Sequence, residues 1–381
     1  MRPRLGILED LKTNWIGLSL VLAVAACGGG TPAQSPAGST EKAAVPAAQQ
    51  TGAATPPAAT KPMFELQLKS LRDYVAAFNR HDAKAIAALY AEEAAFIERG
   101  EQVASGSTSI EMSYKIYFRA FPDASTSITR SWHVGDTVLF EYVEGGTNTG
   151  KHRAHKPTGK KVGYIGASVL RFKPDGRVKT DTTYYDELTK EVQAGWAPGP
   201  LAKLDVRPVV TVPAPTDSWE VHKGAENDAG QAQKAAAARK SLYSSFAMKS
   251  EKDFLAALTD DVVLSPYDDP KDATGKKEAG NLFKDWMKTF ADGVVNATEA
   301  WSVDGHVVLL GTFTGKHVGA WGSLKATNKS FKSNFLDIAR VNKDDKIERV
   351  WTYANNYELL NHLGYHKDEV FDVAEHDPMA D

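Results

Sequence analysis

A site that moves protons needs a carboxylate or histidine whose pKa an apolar wall can tune, and Asp186 is the best-placed candidate in this sequence. It stands two residues after Tyr184, on the same face of a segment that reads as a strand, so Tyr184 is its candidate support. Asp186-Glu187-Leu188-Thr189 reads equally well as the N-cap and first turn of a helix, since an aspartate oxygen accepts hydrogen bonds from amides there. Both readings stand. Asp337, inside a strand-like segment, is a possible substitute acid, although an outward-facing strand carboxylate is the commoner arrangement.

Other chemistries find less support. His152 and His317 recur in similar Gly-Thr-x-Thr-Gly-Lys-His contexts, but each has too few ligand-type neighbours for a zinc site, which needs at least three protein ligands. They read as solvated loop residues. No Gly-rich phosphate loop and no Gly-x-Ser-x-Gly elbow is present. Neither a metal nor a cofactor is expected. Forty-five basic and 48 acidic residues leave a net charge of −3, without a basic stripe, so nucleic acid is not an expected partner.

The elements that would position Asp186 occur twice. Gly106 matches Gly275, Phe121 matches Phe290, Trp132 matches Trp301 and Thr183-Tyr184 matches Thr352-Tyr353, all at an offset of 169; Phe78 matches Phe246 at 168. Gly146 to His152 repeats as Gly311 to His317 at 165, which implies a following loop four residues longer in the second copy. A period this long with two copies means duplicated domains, because solenoid repeats are several-fold shorter. In the first copy, Leu68, Leu71, Val75 and Phe78 recur at helical spacing. A second helix carries Ile86 and Leu89, a short strand follows near 94–97, and a third helix runs over 109–121 until Pro122 stops it. Four strand-like segments follow, near 125–133, 137–148, 160–172 and 177–186. Helices first and an antiparallel sheet after them predict an α+β fold. Domains are expected at 64–196 and 226–366, joined by a Pro-rich linker at 197–225 and followed by a tail at 367–381.

Ahead of the domains, basic residues precede an apolar run at 16–26 that is too short to span a bilayer as a helix. It reads as a signal peptide covering 1–26. Val24-Ala25-Ala26-Cys27 resembles the bacterial lipobox, which would make Cys27 the lipidation site and the new N-terminus. Cys27 is the sole cysteine, so disulfides and Cys-based catalysis are excluded. The Ala/Pro/Gly-rich stretch at 27–63 is expected to be a disordered tether. Gly28 lacks the retention signal of an aspartate at that position, so the expected location is the cell envelope, with the outer membrane preferred.

Asn79-Arg80-His81-Asp82, Leu89-Tyr90-Ala91-Glu92-Glu93, Ala120-Phe121-Pro122-Asp123, the Gly-Thr-x-Thr-Gly strand end, Pro157-Thr158-Gly159-Lys160 and Tyr184-Tyr185-Asp186 together resemble the SnoaL-like polyketide cyclase group of the nuclear transport factor two-like superfamily. The resemblance covers about 64–194 well and 226–366 more weakly. It implies two tandem cone-shaped domains, each about three helices packed on a strongly curved, mainly antiparallel sheet, with a pocket at the open end. It also implies cyclase- or isomerase-type proton transfer beside a carbonyl, and it puts Asp186 where such cyclases carry an acid/base aspartate. The second copy has Asn355 there, and an amide cannot be a general base. The family's histidine within Gly-Thr-His-Thr-Gly corresponds to Asn148 and, on the 165 offset, to Phe313.

Trp132, Trp301, Trp351 and Tyr353, with Asn355, are the expected pocket walls, although aromatics at strand spacing are more often core. The expected partners are a small apolar ligand, the membrane through lipid on Cys27, and an intramolecular pseudo-dimer of the two domains. Two function classes remain open: an acid–base enzyme acting through the first copy, or a noncatalytic ligand-binding or domain-association module.

Overall fold

The computed structural model describes residues 62–98, 100–224 and 249–365. The signal peptide, Cys27, all but the end of the tether, Phe246 and the 367–381 tail lie outside the described residues. The helical spacing seen in the sequence becomes α1 (Met63–Asn79), which buries Leu68, Leu71, Val75 and Phe78. The helix stops before His81, whose φ is +56°. Asp82 then caps α2 (Ala83–Ala87) by accepting from the Ala85 amide at 2.9 Å. A strand pair follows, β1 (Tyr90–Glu98) and β2 (Glu101–Ser105), and then α3 (Gly106–Ala120). The rest is β3 (Ser125–Val134), β4 (Thr137–Thr147), β5 (Lys161–Phe172), β6 (Val178–Tyr185) and α4 (Glu187–Ala194).

The first sheet has the order β2-β1-β6-β5-β4-β3-β7. Its edge strand β7 (Glu220–Lys223) pairs in parallel with β3 and comes from the Pro-rich linker. That linker therefore does more than span a gap: it buries Leu201 and Leu204, and the Val210 amide donates to the Gly163 carbonyl at 2.9 Å. The second domain has α5 (Glu251–Ala256), β8 (Leu258–Pro266), β9 (Ala273–Thr274) and α6 (Gly275–Thr289). These precede β10 (Phe290–Val303), β11 (His306–His317), β12 (Ser330–Val341), β13 (Ile347–Ala354) and α7 (Asn356–Leu363). Its sheet order is β10-β11-β12-β13-β8-β9. Both domains are mixed α+β, each a curved sheet carrying a few helices, as expected.

Register confirms the duplication strand by strand. Trp132 opposes Leu139 as Trp301 opposes Val308, and Tyr184 opposes Ala167 as Tyr353 opposes Leu336. A bulge interrupts β3 between Ile128 and Arg130, and its counterpart interrupts β10 between Ala297 and Glu299. Extra residues of this kind bend a strand and add curvature.

The loop after β4 corrects the 165 offset. The Asn148 and His317 amides donate to Lys160 and Lys329 carbonyls at 2.9 and 3.0 Å, and the bridge His152–His155 recurs as Trp321–Leu324. Gly150 and Gly319 both press on the preceding helix: a Cβ would meet the Arg119 carbonyl oxygen at 1.9 Å and that of Lys288 at 2.3 Å. The offset is thus 169 from Gly106 onward, after 168 through the first strand, where Tyr90 and Leu258 take equivalent pairings, and there is no four-residue insertion. His317, not Phe313, occupies the position of Asn148, within Gly315-Lys316-His317-Val318-Gly319.

The outer faces of the two sheets share one apolar cluster. It contains Trp132, Leu139 and Val169 from the first domain and Val308, Leu336, Ile338, Trp351 and Tyr353 from the second. Arg130 forms a buried ion pair with Glu141 at 2.6 Å and lies 4.0 Å from the Trp351 ring centroid, while Tyr353 donates its hydroxyl to Glu141.

Candidate functional site: two cavities of different chemistry

The inner face of the first sheet, closed by α1 and α3, encloses a cavity of about 540 Å³. Tyrosines dominate its wall: Tyr74 from α1, Tyr114 and Tyr117 from α3, and Tyr142, Tyr164 and Tyr185 from the sheet. Burial raises the pKa of each, so all six present neutral hydroxyls. Four carboxyls line it as well, Glu98, Glu101, Glu144 and Asp181, of which Glu144 and Asp181 are buried. Glu144 on β4 accepts from the Tyr164 hydroxyl, and burial raises its pKa.

Asp181 on β6 is the more informative acid. It is 4% exposed, and Tyr90 donates to its Oδ2 at 2.6 Å. Its Oδ1 is shut off from solvent and has no hydrogen-bond partner. Burial pushes its pKa up to about 7, against the opposing pull of Tyr90 and Ser168. A buried carboxyl held near neutrality can exist in either protonation state, which proton relay requires. The Tyr117 hydroxyl is also buried, beside Glu144 and Tyr164 but without a well-formed hydrogen bond to either. The cavity wall therefore holds one carboxyl oxygen and one phenol whose hydrogen-bonding capacity is unspent, both covered by their neighbours.

The residues read from the sequence lie elsewhere. Asp186 is buried at the N-cap of α4, where its Oδ2 accepts from the Thr189 amide at 3.0 Å. Its Oδ1 accepts from the Asn356 amide of the second domain, also at 3.0 Å, so it caps one helix and ties down the start of another. Burial pushes its pKa up to about 6, and these hydrogen bonds oppose the rise. It does not line the cavity.

Tyr184, Trp132, Trp301, Trp351 and Tyr353 are indeed brought together, but between the two sheets rather than inside a cone. Side chains alternate along a strand, so Tyr184 faces out while its neighbours Thr183 and Tyr185 face the cavity. Asn355 caps α7 by accepting from the Tyr357 amide at 3.0 Å. The histidines are not solvated. His152 is buried, stacks on Trp196 at 5.0 Å, and has its pKa lowered well below the usual value by burial. His317 is buried and pairs through Nδ1 with the Thr327 hydroxyl at 3.2 Å; Asn148 likewise accepts from the Thr158 amide at 2.9 Å. Both braces hold the same loop.

The second cone contains a cavity of about 300 Å³ with a different lining. The 169 register puts Phe313 at the position of Glu144, Ser333 at that of Tyr164 and Val350 at that of Asp181. Asp337 takes the position of Ser168 and is buried facing this cavity, so the outward orientation expected for it is corrected.

Residues 71–180 match the model of the SnoaL-like domain, and residues 237–363 match that of the SnoaL-like polyketide cyclase. The chain therefore carries two SnoaL-like domains in tandem. Among solved structures, TsrD from Streptomyces laurentii is 17% identical, with 37% of this chain and 100% of TsrD covered and a TM-score of 0.32. IdmH from Streptomyces antibioticus is 17% identical over 34% of this chain and 98% of its own, with a TM-score of 0.30. RV0760c from Mycobacterium tuberculosis is 19% identical over 33% of this chain and 93% of its own, with a TM-score of 0.28. No curated protein matches the chain.

Proposed function

We propose that the first of the two SnoaL-like domains binds a small, largely apolar carbonyl compound and moves a proton on it, with Asp181 as the acid/base. The observation that carries this reading is the unpaired Oδ1 of Asp181, buried in the wall of a cavity beside neutral phenols. In the ionised state that oxygen takes a proton from the carbon beside the carbonyl. Tyr117, whose hydroxyl lies beside Glu144 and Tyr164 without a well-formed hydrogen bond to either, donates to the oxygen on which the enolate charge develops. Return of the proton to another carbon completes an isomerisation; alternatively, the enolate carbon attacks a second carbonyl, and the alkoxide formed there takes the proton back from Asp181 to complete a cyclisation. Tyr90 holds the other carboxyl oxygen at 2.6 Å and so fixes the direction in which Oδ1 points.

In the second domain Val350 replaces this acid, which favours binding without the same proton transfer there. The short apolar run ending at Cys27 supports anchoring of the mature chain to the cell envelope, preferably the outer membrane, by lipid on that thiol. The shared cluster at Trp132 and Tyr353 supports treating the two domains as an intramolecular pseudo-dimer.

The test needs no knowledge of the natural substrate. In D2O, the protein should speed deuterium entry beside the carbonyl of cyclic ketones such as 2-tetralone, followed by NMR. Asp181→Asn should return the rate to that of buffer, and Tyr117→Phe should slow it by about 100- to 1000-fold, the range for loss of one oxyanion donor. A panel of ketones with no exchange above buffer, or an Asp181→Asn variant as fast as the wild type, would overturn the proposal.

A further inference from the structure

The second cavity has a one-sided electrostatic character. Asp268 and Asp269 from the loop after β8, Asp285 from α6 and Asp337 from β12 line it, and among the described residues no Lys, Arg or His does. Arg207 approaches the same loop from outside the cavity. It donates to the carbonyls of Asp269 and Pro266 at 3.1 and 2.9 Å and pairs with Asp272 at 3.0 Å. The remaining wall is aromatic and aliphatic. Trp286 lies 5.3 Å from Phe290 and 5.2 Å from Phe313, ring centre to ring centre, and Phe290 lies 6.0 Å from Trp321.

One atom in this wall has no internal explanation. Asp268 Oδ1 is closed to solvent and meets no hydrogen-bond donor. Burial and the nearby Asp269, Asp186 and Asp337 push the Asp268 pKa well up, so its charged form is disfavoured unless a positive group compensates it. Ligand classes differ in what they would do here. An anion would meet acidic side chains and no cation among the described residues, and a neutral apolar molecule would leave the Asp268 oxygen desolvated and unpaired. An organic cation would favour the ionised carboxylate and also find the negative faces of indole and phenyl rings.

We propose that the second cone binds a monovalent organic cation, a quaternary ammonium or protonated amine with an apolar body, against Trp286 and Trp321 and the carboxylates of Asp268, Asp269 and Asp285. This site is separate from the proton-transfer cavity of the first cone and does not depend on it.

The experiment compares choline with 3,3-dimethyl-1-butanol, in which carbon replaces the quaternary nitrogen at the same shape. The full-length protein is titrated by calorimetry and by tryptophan fluorescence, which Trp286 and Trp321 report from within the wall. Choline should bind about tenfold more tightly than the neutral isostere, the preference expected of a partly desolvated cation on aromatic faces. Asp268→Asn should remove most of that preference. Asp285→Asn, at an exposed position on α6, should weaken choline binding several-fold without disturbing the fold. Asp181→Asn, in the other cone, should leave choline binding unchanged. Equal affinity for cation and isostere, undiminished choline binding in both second-cone variants, or loss of binding in Asp181→Asn would overturn the proposal.

Discussion

Replacing Asp181 by Asn should make the protein more stable near neutral pH while removing its proposed activity. The carboxyl has a pKa near 3.8 when the chain is unfolded and about 7 when folded, because burial disfavours the charged form. Between those values the folded state holds a proton that the unfolded state has released. Stability then falls as pH rises, by about 1.4 kcal/mol per unit. Over a window of about three units the loss approaches ~4 kcal/mol, all of it incurred above the unfolded pKa and complete above the folded one. Asparagine does not titrate, and it still offers an oxygen to the Tyr90 hydroxyl.

The variant should therefore match the wild type within ~1 kcal/mol near pH 4 and exceed it by ~2–4 kcal/mol near pH 8. Urea denaturation of both proteins across this range, compared as a difference, cancels the titration of every other group. Parallel stability curves, or a variant less stable than wild type near pH 8, would refute the reasoning. A stability gain paired with loss of ketone exchange is the signature of a group retained for chemistry at the expense of folding.

Asp186→Ala should cost about 2–4 kcal/mol in urea denaturation, since it removes an N-cap and leaves the buried Asn356 amide unpaired. Asp186→Asn should cost roughly half as much, because its one amide oxygen can serve only one of those two donors; ketone exchange in the first cone should survive both. Arg130→Met should destabilise by about 3–5 kcal/mol in the same assay, because it strands Glu141 in the seam between the sheets. Cys27→Ser should shift the protein from the membrane fraction to the soluble one, with loss of lipid mass by mass spectrometry; unchanged partition would refute anchoring through that thiol.

The fold was legible because its signals are local and repeated. Leu68, Leu71, Val75 and Phe78 mark α1 by spacing alone, Pro122 ends the third helix, and Trp132/Trp301 and Tyr184/Tyr353 fix the offset between copies. Two features were not legible for identifiable reasons. The strand β7 is four residues long, follows the prolines of the linker, and pairs with the edge that β3 offers it. The Gly-Thr-x-Thr-Gly-Lys-His similarity suggested a shift of four residues. The positions that matter there are the glycines packed on the preceding helix, Gly150 and Gly319, and they keep the 169 register.

The site was harder to read because strand parity was misjudged at its far end. Alternation places Asp181, Thr183 and Tyr185 on the inner face of β6, yet Val178 is also buried, so the pattern breaks near Lys179. The pairing explains the break: Phe172 opposes Val178 while Arg171 opposes Thr180, leaving one extra residue in β6. That bulge turns Asp181 inward and Tyr184 outward. Copy-to-copy comparison was misleading for a related reason. Asp186 becoming Asn355 suggested loss of an acid, but that position is a helix cap in both copies. Asp181 becoming Val350 is the loss that matters, and Ser168 becoming Asp337 offsets it. Ser168 opposes Thr183 and Leu170 opposes Asp181, so Ser168 and Asp181 are diagonal neighbours on the same wall. A carboxyl can therefore pass from β6 to the adjacent strand and still face the cavity. Position-by-position alignment scores such an exchange as two unrelated substitutions, whereas the geometry of the sheet makes it a relocation of one chemical group.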